Sequence, residues 1–166
     1  MIPVSSTQFT LSRVFEAPRH RVWEALTMSE HLIHWWGPKG FTMLVAKLDL
    51  IPGGSFHYSM RSPDGREMWG KFVYREVAAP GRLVFVNSFS DEQGNLVRHP
   101  FAPTWPLEVL NTLTLEEHDG RTTLTLSGGP INASEEERRT FDSSHDSMRT
   151  GFGGTFDQLA GYLSGL

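Results

Sequence analysis

Seven residues near the C-terminus constrain this chain more than any others: Phe141, His145, Met148, Phe152, Phe156, Leu159 and Leu163 recur every three or four positions. That spacing draws one apolar stripe down a helix. Just ahead of it, Ser134-Glu-Glu-Glu137 is a capping box, in which the serine accepts from the Glu137 amide while the Glu137 side chain reaches back. The pattern predicts a single helix of about thirty residues, which must find one apolar surface to lie on. Gly151, Gly153 and Gly154 interrupt it, each at a cost of about 1 kcal/mol relative to alanine. A bend, or close approach to another backbone, would account for them.

The surface for that helix lies upstream, where the period falls to two. Phe9–Phe15 alternates as a half-buried strand should. Pro18 suits a helix start, and Val22, Trp23, Ala25 and Leu26 follow with helical spacing. Ser29 stands where an N-cap would open a second short helix carrying Leu32, Ile33, Trp35 and Trp36, which Gly37-Pro38-Lys39-Gly40 stops. Strands are expected over Thr42–Leu50, Ser55–Arg61, Glu67–Val77, Arg82–Phe89, Leu107–Glu117 and Thr122–Ser127. Pro52-Gly53-Gly54, Pro63-Asp64-Gly65, Pro80-Gly81 and Asp119-Gly120 supply the turns between them, and Asp91–Pro106 reads as a long loop. The order is β, α, α, six β and a long α. It specifies an α+β fold in which one antiparallel sheet curls around the final helix.

At 166 residues the chain fits one domain, taken as residues 1–166. Fifteen basic against nineteen acidic side chains leave a net charge of -4, which argues against a dedicated nucleic-acid binder. The densest basic run, Arg19-His20-Arg21, is short. Cysteine is absent, so disulfides, thiolate metal sites and cysteine nucleophiles are excluded. No run approaches the roughly 18 consecutive apolar residues of a spanning helix, and the first residues lack a signal peptide's pattern. A soluble cytoplasmic protein is the expectation.

Five stretches, taken in order, carry a likeness: Trp35-Trp-Gly-Pro-Lys-Gly-Phe-Thr42, Pro52-Gly-Gly54, Ser62-Pro-Asp-Gly65, Glu76-Val with Pro80-Gly-Arg-Leu-Val84, and Met148 through Gly151-Phe-Gly-Gly-Thr-Phe-Asp-Gln-Leu159 to Tyr162-Leu163. Together they span nearly the whole chain. The sequence resembles the activator of heat-shock protein 90 ATPase-like family, within the START-like, polyketide-cyclase-like superfamily. The resemblance implies a helix-grip fold, a curved sheet around the C-terminal helix with a cavity between them. It does not imply one activity, because relatives include ligand carriers, cyclases, stress-response domains and co-chaperone domains. Phe152 departs from the pattern, standing where the family often has Trp after Gly; the ring is kept and the indole donor removed.

An apolar cavity with a few polar groups is the usual form of a small-molecule site. Trp36, Phe56, Tyr58, Trp69, Phe72, Phe85, Trp105, Phe141, Met148 and Phe152 are the candidates to line it, with His145, Tyr58 and Asn111 to orient a ligand. Trp69 and Phe72 fall on opposite faces of their strand, so one of the two is expected off the cavity. Two readings of His145 stand: a histidine satisfied by a strand partner, or a polar group in the cavity able to orient a ligand or move a proton. His31 and His34 lie three apart on a helix but lack a third ligand, so no metal is expected. No G-x-S-x-G elbow is present either.

The expected function is binding of a small apolar or aromatic molecule, with no metal, organic cofactor, nucleic acid or membrane involved and a homodimer left open. A cyclase or hydrolase acting on a polyketide-like or aromatic substrate is one alternative. A chaperone-interacting module is the other. It is disfavoured because the eukaryotic activator carries an extra N-terminal domain and the first strand here starts by Phe9.

Overall fold

Each alternating stretch forms a strand in the computed structural model, which describes residues 8–37, 40–100 and 102–165. The order is β1 (Phe9–Phe15), α1 (Arg19–Thr27), α2 (Ser29–Trp35), β2 (Thr42–Leu48), β3 (Ser55–Arg61), β4 (Glu67–Ala78), β5 (Arg82–Ser90), β6 (Val109–His118), β7 (Arg121–Pro130), α3 (Glu135–Ser143) and α4 (His145–Ser164). All seven strands join one sheet in the order β1-β7-β6-β5-β4-β3-β2, every pair antiparallel. Asp119 and Gly120, at φ 53° and 77°, make the two-residue turn between β6 and β7.

The sheet is curved, and β-bulges, which bend the strand that carries them, interrupt β2 between Met43 and Val45 and β4 between Tyr74 and Glu76. Its register aligns Tyr58 with Gly70, Phe72 with Asn87 and Phe85 with Asn111, so these share the concave face. Helices α1, α2 and α4 cover that face. Phe156 of α4 meets Phe15 edge-on with centroids 6.1 Å apart, and Asp157 pairs with Arg13 at 2.7 Å. Phe15, Phe56, Leu124 and Leu159 are almost wholly buried between the layers, each worth about 1.5–3 kcal/mol of apolar burial. No helix among the described residues is long and apolar enough to cross a membrane.

The C-terminal stripe departs from expectation. It is two helices, α3 and α4, separated at Ser144, whose φ and ψ are -101° and 4°. The Ser143 and Ser144 hydroxyls donate to the Thr140 carbonyl at 3.0 and 2.7 Å, and the Ser144 amide turns back to Phe141 at 3.1 Å. Serine hydroxyls compete for backbone carbonyls in this way and loosen the helical ladder. The glycines are not the break: Gly151, Gly153 and Gly154 lie inside α4. A Cβ on Gly151 or Gly153 would meet nothing within 4 Å, so close backbone packing does not explain those two either. The capping box is present as read, with Ser134 and Glu137 exchanging hydrogen bonds of 3.1 and 2.8 Å.

Smaller differences are local. Met28, not Ser29, is the N-cap residue of α2, with no side chain capping it. The strand expected to reach Leu50 ends at Leu48, because Asp49–Gly54 folds back as a turn with the Ile51 amide on the Asp49 carbonyl. Pro38 and Lys39 lie outside the described residues.

Candidate functional site

Between the concave face and the helices lies an inner chamber of about 30 Å³, room for roughly two water molecules. Phe72, Tyr74, Leu83, Phe85, Asn87, Asn111, Leu113 and Leu126 form its floor, and Leu26, Leu32, Trp36, Phe152 and Phe156 its roof. Outward of it lies a mouth of about 200 Å³, bounded by Trp36, Gly37, Met60 and Asn87 and by Met148, Gly151, Phe152 and Thr155 of α4. A side space of about 190 Å³ adjoins Phe41, Tyr58, Met60, Met68, Trp69, Phe89 and Trp105. Asn87 borders all three.

Trp36 is held in place by the C-terminus of α2. The neighbouring Trp35 indole donates to the Ala25 carbonyl at 2.9 Å, and Gln158 of α4 donates to the carbonyl of Trp35 at 3.1 Å. The Trp36 ring then stands edge-on to Phe72, Tyr58 and Phe56, with centroids 5.4, 6.0 and 6.4 Å away. Its indole N–H is buried and has no hydrogen-bond partner among the described residues. It is near enough to the Tyr58 hydroxyl to act on its titration, but the pair does not meet the geometry of a hydrogen bond. Burial pushes the Tyr58 phenol up to about 12, against a smaller opposing pull from Trp36. Burial likewise raises the Tyr74 phenol. Both remain neutral donors at ordinary pH.

Asn87 sits between Phe85 and Phe89 on the apolar side of β5, and its amide has no side-chain hydrogen bond among the described residues. Asn111 is tied down: Nδ2 donates to the Val109 carbonyl at 3.2 Å. Its Oδ1 occupies the space over Gly128, where a Cβ would stand 2.3 Å away. Among the described residues, no Asp, Glu, His, Lys or Arg lines any of the three spaces. The described lining can therefore bury an apolar body and meet it with neutral polar groups.

Of the residues singled out from sequence, Trp36, Phe72, Phe85, Asn111 and Phe152 border the chamber. Met148 joins them at the mouth, and Tyr58, Trp69 and Trp105 line the side space. Trp69 is on the opposite face of β4 from Phe72, its ring 4.9 Å from that of His57. Phe56 is fully buried and borders none of the spaces. Phe141 and His145 belong to a separate small cluster with Phe9 and Val109, against which Trp105 also packs. There the His145 ring meets Phe9 and Phe141 edge-on at 5.6 and 5.3 Å, and its Nε2 is buried without a hydrogen-bond partner among the described residues.

His31 and His34 both turn to Tyr162, the first by a hydrogen bond of 2.5 Å to its hydroxyl and the second by ring stacking. Among the described residues no three potential metal ligands stand together. Asn87 was not anticipated, although its signal is in the sequence: it is the polar residue in the otherwise apolar series Leu83, Phe85, Asn87, Phe89.

Residues 16–164 match the family model described as Activator of Hsp90 ATPase homolog 1-like protein. No curated protein is detectably similar in sequence. Among solved structures, a Mycobacterium smegmatis protein is 27% identical with a TM-score of 0.73, over 97% of this chain and 90% of its own. An Arthrobacter aurescens protein is 26% identical at a TM-score of 0.78, over 100% of this chain and 91% of its own. A Nitrosomonas europaea protein, 24% identical at a TM-score of 0.74 over 99% and 98%, shares the fold.

Proposed function

The chain belongs to the Activator of Hsp90 ATPase homolog 1-like family, and on that premise we propose that it binds a small, largely apolar molecule between the sheet and α4. One observation carries the reading. Among the described residues, the Trp36 indole N–H and the Asn87 amide stand without hydrogen-bond partners beside a largely apolar space. The Trp36 N–H is the buried one of the two; a buried polar group left unpaired costs about 1–3 kcal/mol, and a ligand that meets it recovers that cost.

Size decides where the ligand sits. The inner chamber is too small for a ring, so the ligand body occupies the mouth beside Met148 and Gly151, with only an edge passing Trp36 and Phe152. Apolar burial supplies the affinity, at about 25 cal/mol per Å². Binding is favoured over turnover because general acid–base chemistry needs a group that titrates near neutrality. The phenols that border these spaces, Tyr58 and Tyr74, are both pushed upward.

Native mass spectrometry of freshly purified protein tests the reading. A mass increment that organic extraction removes is the expected result. Bare protein that also takes up no added apolar probe would refute it.

A further inference from the structure

We propose that Asn87 selects an uncharged ligand bearing a hydrogen-bond acceptor, a ketone-type carbonyl on an apolar ring body. The inference rests on the binding reading above and names the ligand class for that site.

The free polar groups around the space can all donate, and one of them can do nothing else. Trp36 Nε1 can only donate, and it is buried without a hydrogen-bond partner among the described residues. Tyr58 keeps its proton. Asn87 can turn its NH2 group inward, and it borders the chamber, the mouth and the side space alike. Thr155 and Asn111 are already engaged: Thr155 donates to the Gly151 carbonyl at 3.1 Å, and Asn111 Nδ2 donates to Val109. A carbonyl oxygen, with two lone pairs, can serve two of the free donors at once. A carboxylate has acceptors too, but among the described residues no Lys, Arg or His borders these spaces. Burying an anion without a cation carries a desolvation penalty that a few neutral donors do not repay. A bare hydrocarbon would leave the donors unpaired.

Three probes with one ring system separate these cases: naphthalene, acetylnaphthalene and naphthoate, titrated into the full chain by calorimetry. The expected order places acetylnaphthalene about tenfold tighter than naphthalene, which corresponds to one net hydrogen bond. Naphthoate is expected to be weakest. In Asn87→Leu the ratio of acetylnaphthalene to naphthalene affinity falls from about tenfold to near one, whatever the substitution does to naphthalene itself. Asn87→Val, β-branched and suited to a strand, serves if the leucine variant does not fold. The wild-type ranking needs no variant at all. Equal binding of ketone and hydrocarbon, tighter binding of naphthoate, or a preference that survives both variants overturns the inference and leaves the apolar site standing. Failure of all three probes to bind refutes the binding reading itself, and this inference with it.

Discussion

The ring of Tyr58 lies across Gly70, its directly paired neighbour on β4: a Cβ there would stand 2.4 Å from both Cζ and the hydroxyl oxygen. Glycine in a strand interior weakens the strand, and here it makes room for an aromatic ring over the backbone. Tyr58 has little freedom to yield, since it stacks on Phe56 at 4.8 Å and stands edge-on to Trp36 and Phe72.

Gly70→Ala is accordingly expected to destabilise the protein by about 1–3 kcal/mol, the usual cost of overpacking. In a Tyr58→Ala background the same substitution should cost much less. Denaturant titration of the four chains checks this, and additive effects would contradict the packing account.

Glu137 makes stability depend on acid. The Ser134 backbone amide, and then Arg98, hold its carboxyl below the usual carboxylate range. A group whose pKa is lower folded than unfolded contributes stability above its unfolded value, about 4.3, and loses it as pH falls through the folded value. Glu137→Gln should therefore be less stable than wild type at pH 7, and the gap should close below about pH 4. Parallel stability–pH curves for the two chains would rule out the linkage.

The glycines of α4 oppose its stability. Gly151 and Gly153 are helical, and a Cβ on either meets nothing within 4 Å. Alanine at each should stabilise the chain by about 0.5–1 kcal/mol, or roughly 1–4 °C in melting temperature. Gly151→Ala also adds a methyl group to the mouth, so it alone of the two should weaken binding of an apolar probe. A fall in melting temperature would show a packing role for these glycines that the structure does not contain.

Features governed by neighbours in sequence were legible from the sequence. Ser134 and Glu137 form a capping box through contacts three residues apart, and Asp119-Gly120 makes its turn from its own backbone preferences. Strand parity correctly set Phe72 and Trp69 on opposite faces. The break at Ser144 was not legible, because it depends on two hydroxyls taking the Thr140 carbonyl within an otherwise good helical pattern. His145 shows the limit of periodicity: the stripe puts it on the buried side of its helix, but not against which part of the core. It meets Phe9 of the edge strand rather than the chamber. Asn87 was readable from alternation alone; its importance came from the packing of Trp36 and Phe152 over the same space.

Met148 offers the most direct test, because its side chain borders the mouth and the Gly151 side of the space carries no Cβ. The measurement is the fluorescence of phenylnaphthylamine, an uncharged apolar probe, titrated into wild type and Met148→Trp, with melting temperatures taken on the same samples. Binding between sheet and α4 predicts saturable enhancement in wild type, and its loss in Met148→Trp at an unchanged melting temperature. Undiminished probe binding by the variant contradicts the account. So does a wild type that binds no probe while the variant is destabilised by the roughly 1–3 kcal/mol of an overpacked core.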